Sequence, residues 1–191
     1  MTIITIYGSK GQGKSAIATY IAYMTFQSAE KSQIVSNYKL NFPYIPLNFR
    51  QLEAYKNALV IFDEAHIYAD NRTSQKKLNR LISYFVYEIR HLNTDLILIS
   101  QQESIDKRLR NATDVILLPH AYVFDPVEQT YRDKIDDNEK IDMIAIDMVD
   151  IAHDRKKRLY LNLQKLSYNL FSLYDPNVLI PFSTASLEKF V

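Results

Sequence analysis

The sequence predicts an α/β fold: a mostly parallel central sheet with helices on both faces and a β-hairpin added toward the C-terminus. Three observations predict it. Short apolar runs alternate with helical stretches through the first two-thirds of the 191 residues, the pattern of strands buried on both faces. All three glycines, Gly8, Gly11 and Gly13, fall in one loop between a β-branched run and a helical one. Past residue 120 the alternation gives way to two strand-like runs flanking a charged turn, which reads as antiparallel pairing.

Taken in order, Thr2 to Tyr7 is β-branched and gives the first strand, and Ser15 to Ser28 has helical composition and spacing. Gln33 to Tyr38 is a second short strand. A loop with Pro43 and Pro46 leads to a short helix around Phe49 to Lys56. Leu59-Val60-Ile61-Phe62 is a buried strand ending at Asp63-Glu64. Ser74 to His91 predicts a long amphipathic helix, with Leu78, Leu81, Ile82, Phe85 and Ile89 on one face. Leu96 to Ser100 is another buried strand, and Val115 to Leu118 a further one, closed by Pro119. Asp133 to Asp142 is acidic and polar, and reads as a loop. Asp142 to Ala152 and Arg158 to Leu166 predict a hairpin at the sheet edge, turning at His153 to Lys157. Tyr168 to Val191 shows no clear pattern. The chain reads as one domain, 1–191, with a core of about 1–120 and a β-rich extension of about 121–191.

Composition narrows the function classes. A net charge of +1 excludes a strongly basic nucleic-acid coat, though not a locally basic groove. With no cysteine, disulfides and cysteine-based zinc sites are excluded. The first residues run straight into a strand, so no signal or transit peptide is expected. The longest late apolar stretch, Met143 to Ala152, is too short and too interrupted by Asp147 and Asp150 to span a bilayer. A soluble protein is expected.

The glycine loop carries the chemistry. Gly8-Ser9-Lys10-Gly11-Gln12-Gly13-Lys14-Ser15 reads GxxxxGKS, the phosphate-binding Walker A pattern. Backbone N–H groups must curl round the phosphates, so Cβ atoms have to be absent where the chain turns tightly. Residues Gly8 through Ala16 are therefore the expected ATP-binding set. Within it Lys14 would neutralise the β- and γ-phosphates, and the Ser15 hydroxyl would ligate Mg²⁺. Leu59 to Glu64 has the Walker B form, four apolar residues and then two carboxylates. Asp63 would hold Mg²⁺ and Glu64 would orient and deprotonate the attacking water. Ser100-Gln101-Gln102 closes the next strand, where Gln101, with Gln102 in reserve, can reach the γ-phosphate or the water. Arg72, Arg80, Arg90, Arg108 and Arg110 follow the catalytic strands. An arginine offered to a neighbouring subunit's γ-phosphate would stabilise transition-state charge. Asp63-Glu64-Ala65-His66 spells a helicase box, but those enzymes build their site between two such domains, which makes His66 a structural residue. Arg155-Lys156-Lys157-Arg158, in the expected turn, is either a solvated hairpin tip or a contact to the phosphate backbone of nucleic acid.

Asn37, Asp63-Glu64, Asp70-Asn71-Arg72, Arg90-His91, Ser100-Gln101 and Ser104 to Arg110 fall in an order that resembles the FtsK–HerA superfamily of DNA-pumping ATPases. The nearest branch is the small ATPases of viruses and phages, which includes genome-packaging ATPases and the zonula-occludens-toxin-like assembly proteins. The resemblance covers roughly residues 2 to 120. It implies a RecA-like core and a homo-oligomeric, hexameric ring that couples ATP hydrolysis to movement of double-stranded DNA. Arg90, Arg108 and Arg110 are then the candidate trans-acting arginines. A capsid or virion membrane protein is a further implied partner, and host cytoplasm or virion the implied location. The toxin-like proteins usually carry a membrane segment and none is seen here, which favours the packaging ATPases. Two other classes stay open: a P-loop nucleoside or nucleotide kinase, and a nucleotide-gated assembly factor that translocates nothing.

Overall fold

A computed structural model of the chain describes residues 1–63, 84–89, 91–101, 111–136 and 138–179. Strand β1 (Ile3–Tyr7) leads through the glycine loop into helix α1 (Lys14–Ser28). Strands β2 (Gln33–Ser36), β3 (Tyr38–Leu40) and β4 (Ile45–Pro46) follow, then a 3-10 segment (Phe49–Ala54) and β5 (Ala58–Phe62). Next come β6 (Asp95–Ser100), β7 (Val115–Asp125), β8 (Thr130–Asp133), β9 (Met143–Asp150), β10 (Arg155–Asn162) and β11 (Tyr174–Leu179). Among the described residues the main sheet has nine strands, ordered β10-β9-β7-β1-β6-β5-β2-β4, with β8 alongside β7. From β7 to β4 the strands run parallel, whereas β8, β9 and β10 pair antiparallel. The expected α/β class, with its mostly parallel sheet and C-terminal hairpin, is what forms.

The apolar runs lack polar residues because each strand feeds two cores. Successive residues point to opposite faces, so Ile3, Val60, Phe62, Leu96 and Leu98 pack on one side with Phe85, Val86 and Ile89. Ile6, Leu59, Ile61, Ile97 and Ile99 pack on the other with Ala16, Ile17, Ala18 and Ala22 of α1. Ile97 is fully buried, and truncating such a side chain to alanine costs about 2–5 kcal/mol.

Four boundaries differ from expectation, each for a local reason. Gln33 to Tyr38 is not one strand. It breaks at Asn37, whose side chain leaves the ladder to bond the backbone of Asp63, and β3 departs to pair with β11 in a separate two-stranded sheet. Pro119 does not end its strand; β7 runs through it to Asp125. Ala121, whose N–H faces the same edge as the nitrogen of Pro119, donates to Gln12 there and to no strand residue. The register with β1 stops at Leu117, so the N–H that proline lacks had no ladder partner to lose. The hairpin turn lies earlier than expected, at residues 151–154, with Asp154 at a φ of +50°. The cluster Arg155 to Arg158 therefore belongs to strand β10, in register with Asp150 to Asp147, and is not the turn. Finally, β8 was unmarked because its turn rests on one side chain, Asp125, whose carboxylate accepts from the N–H groups of Val127 and Glu128. Of the long helix expected over 74–91, residues 84–89 and 91 are described and helical, with Phe85 and Ile89 buried as expected. The expected boundary near residue 120 falls inside β7.

Candidate functional site

The glycine loop leaves β1 at the carboxyl edge of the parallel strands, where open α/β sheets bind ligands. Gly13 caps α1 with a φ of +87°, a conformation that costs other residues strain. A Cβ there would also lie 2.7 Å from Cδ1 of Ile144 in β9, so the loop packs closely on the C-terminal extension. A second contact on the same side ties the loop to β7: the Gln12 side-chain carbonyl accepts from the N–H of Ala121, the register partner of Ile144, at 2.8 Å. Gln12 belongs to the expected ATP-binding set through its backbone; its side chain is a strut between the loop and β7.

Lys14 is buried, 7% exposed, and its ammonium donates to the carbonyls of Gly8 at 2.9 Å and Ser9 at 2.8 Å. That holds a positive charge inside the loop, at the helix N-terminus where the backbone dipole also favours an anion. Ser15 donates its hydroxyl proton to Asp63 at 2.6 Å. The Walker A serine and Walker B aspartate thus meet at the tip of β5, as their motifs require. Asp63 is itself buried, 6% exposed, and Asn37 fixes its backbone twice. The Asp63 N–H donates to the Asn37 side-chain oxygen at 2.7 Å, and the Asn37 amide donates back to the Asp63 carbonyl at 2.8 Å. Asn37 entered the sequence argument as a family marker without a role. Its side chain fixes the backbone of Asp63 beside Ser15, and the only sequence signal was a polar residue interrupting an apolar run.

Two tyrosines line the α1 side of this carboxylate. The Tyr38 hydroxyl, fully buried, shares a 2.9 Å hydrogen bond with Thr19 of α1, and the Tyr174 ring meets the Tyr38 ring edge-on at 6.0 Å. Burial, and then the nearby Asp63 charge, push the Tyr174 phenol up to about 12 and raise that of Tyr38 well above its usual value. Both stay protonated. Gln101 follows Ser100, which pairs with Tyr7 at the end of β1, so Gln101 stands just past the end of β6, the strand between β1 and β5. It is partly exposed.

The expected general base Glu64 lies outside the described residues, as do His66, Arg72, Arg80, Arg90, Gln102, Arg108 and Arg110. The basic cluster is remote from the loop, on the edge strand β10. Its Arg158 grips Asp147 through two hydrogen bonds of 2.6 Å, and His120 approaches the same carboxylate at 3.3 Å. Arg158 beside it holds the Asp147 carboxyl below the usual carboxylate range. The other three expected cations, Arg155, Lys156 and Lys157, stand exposed, and among the described residues no ion pair like that of Arg158 holds them. No described helix is long and apolar enough to cross a membrane.

Residues 14–117, more than half of the chain, match the family model described as Zonular occludens toxin (Zot). Among solved structures, the genome packaging NTPase B204 from Sulfolobus turreted icosahedral virus 2, in complex with AMPPCP, aligns with a TM-score of 0.52. Identity is 18%, over 82% of this chain and 96% of that one. The N-terminal domain of zonular occludens toxin from Neisseria meningitidis aligns with a TM-score of 0.53 and 16% identity, over 91% of this chain and 98% of that one. A KaiC-like protein from Pyrococcus horikoshii aligns with a TM-score of 0.55 and 10% identity, over 83% of each chain. At such identities these likenesses speak for the fold, a RecA-like P-loop core. No curated protein matches the chain in sequence.

Proposed function

The chain belongs to the Zonular occludens toxin (Zot) family, and from that premise we propose that it hydrolyses ATP to drive double-stranded DNA, working as a homohexameric ring of the genome-packaging kind. The observation that carries the nucleotide part is the 2.6 Å contact between Ser15 and Asp63 beside a buried Lys14. Two hard oxygen donors at a helix N-terminus fit Mg²⁺, and both belong to motifs that hold it in P-loop enzymes. When bound, Mg²⁺ would offset charge on the β- and γ-phosphates.

The chain's own residues supply the rest. Residues Gly8 to Ala16 wrap the phosphates with backbone N–H groups, and Lys14 exchanges its carbonyl partners for β/γ oxygens. Glu64, next to the anchored Asp63, takes the proton of the attacking water. Gln101 orients that water or reports the γ-phosphate. One of Arg90, Arg108 and Arg110 reaches the site of a neighbouring subunit. The DNA and packaging parts are supported by the family match and by the likeness to B204, the DNA-packaging ATPase of Sulfolobus turreted icosahedral virus. A capsid or virion membrane protein would dock the ring, in the host cytoplasm or on the virion.

Turnover with and without double-stranded DNA tests the proposal. Stimulation several-fold by DNA, steeply reduced by salt and indifferent to sequence, is the expected result. Slow hydrolysis that ignores DNA favours a nucleotide-gated assembly factor, and phosphate transfer to a nucleoside favours a kinase.

A further inference from the structure

A cavity of about 410 Å³ lies between the residues that lead into β9 and the segment that follows β10. Leu166, Tyr168 and Phe171 are among its apolar lining, and Lys140, Asp142 and Gln164 are among the polar groups that share the lining about equally. Its size is that of a small-molecule site. None of its lining residues falls within 14–117, the part that matches the family model.

The loop geometry says what could fill it. The Ser15–Asp63 contact sets the metal-binding oxygens on the β5 side of the glycine loop. A nucleotide whose terminal phosphates face that side must carry its nucleoside out on the other, toward β7 and β9. There Gln12 is tied to Ala121 and Gly13 abuts Ile144. Ile141 lies three residues before Ile144, about 10 Å along an extended chain. Asp142 bonds β7 through its N–H to the Tyr122 carbonyl and its carboxylate to the Phe124 N–H. It also takes the Leu163 N–H on its carbonyl and the Gln164 amide on its carboxylate, which brings the second wall over the first. Tyr168 is steadied by its ring contact with Tyr23 of α1, at 4.8 Å between centroids. A flat aromatic ligand meets there two aromatic side chains among the apolar lining, beside the helix that starts at the loop.

We propose that this cavity receives the base of the nucleoside triphosphate, so that the C-terminal segment, outside the family-matched core, sets how the base is held. The inference rests on the nucleotide-binding reading of the loop. It is tested by calorimetric titration of ATP and of inorganic triphosphate, which has no base, into wild type and Leu166→Trp. The expected result is that Leu166→Trp weakens ATP at least tenfold and leaves triphosphate unchanged. Unchanged ATP affinity overturns the site, as does equal weakening of both ligands. Should wild type bind neither ligand, the nucleotide reading falls and the base site with it. A second variant works if filling the cavity disturbs folding. The chain has no tryptophan, so Ser167→Trp, at an exposed rim position, creates a single reporter. Its emission should change with ATP and not with triphosphate; the same response to both, or to neither, overturns the proposal.

Discussion

Two carboxylates at opposite parts of the sheet show what separates a site from a scaffold. Asp63, at the tip of β5, is buried and meets a neutral hydroxyl and a neutral amide. Asp147, on β9, is partly exposed and meets a full positive charge on Arg158 as well as His120. The second pairing satisfies its own charge and leaves little for a ligand. The first is buried beside the glycine loop, where the Ser15 hydroxyl and the Asn37 clamp on its backbone fix its position. A buried, doubly anchored setting beside the glycine loop is what separates Asp63 from the surface pair of Asp147 and Arg158.

The sharpest way to break this contrast is at Lys14. Lys14→Ala should lower ATP affinity by 100-fold or more, because the phosphates lose their buried counter-charge. Titration calorimetry reads it directly, and near-normal affinity would remove the loop from the mechanism. Glu64→Gln should instead keep ATP affinity within about threefold while turnover falls by about 10²–10³, the split expected when only water activation is lost.

Asn37 tests the orientation argument itself. Asn37→Ala leaves the buried N–H and carbonyl of Asp63 without their partner, at a cost of about 2–3 kcal/mol in a denaturant titration. Turnover should fall as well, since the carboxylate loses its aim, and Asn37→Asp should not restore it because a carboxylate offers no N–H. If stability drops while turnover holds, Asn37 is scaffold only. Removing Asp147 should do less, and its effect should depend on pH. The Asp147 carboxyl is held below its ordinary value of 3.8 in the folded chain. Its contribution is therefore in place above that ordinary value and is lost as pH falls through the lowered one. Wild type and Asp147→Asn should then converge in thermal midpoint in acid and separate toward neutral pH, with salt narrowing the gap.

The same contrast explains what the sequence disclosed. The glycine loop and Asp63 were legible because phosphate and metal chemistry admits few residue types at those positions, and the apolar runs because both faces are buried. The role of Asn37 was not, since a lone asparagine after a strand carries the signal of any turn. The Gln12 strut and the Gly13–Ile144 contact were hidden for another reason. Each joins the loop to a strand more than a hundred residues later, and no local pattern encodes such a meeting. Pro119 misled because the rule it obeys depends on which strand lies beside it. The strand expected over Arg158 to Leu166 ends at Asn162, where a 3-10 turn begins, and the segment 168–179 was silent because its 3-10 turn and the bulged β11 have no period to read.

The smallest expected effect on the ATP site comes from the basic strand, and it separates the two regions most cleanly. Arg155, Lys156 and Lys157 are exposed on an edge strand, while Arg158 is committed to Asp147. If β10 tracks a DNA backbone, the three uncommitted cations carry that contact and Arg158 serves to hold the strand. Reversing Arg155, Lys156 and Lys157 to glutamate should abolish stimulation by DNA and flatten its salt dependence, with basal turnover within about twofold of wild type. Arg158→Gln should leave stimulation largely intact while lowering thermal stability. Filter binding across a salt series, paired with turnover, distinguishes these outcomes. Full stimulation in the triple variant would make β10 an ordinary solvated edge, protected by its charges against pairing with another sheet, and would move the DNA contact to another surface.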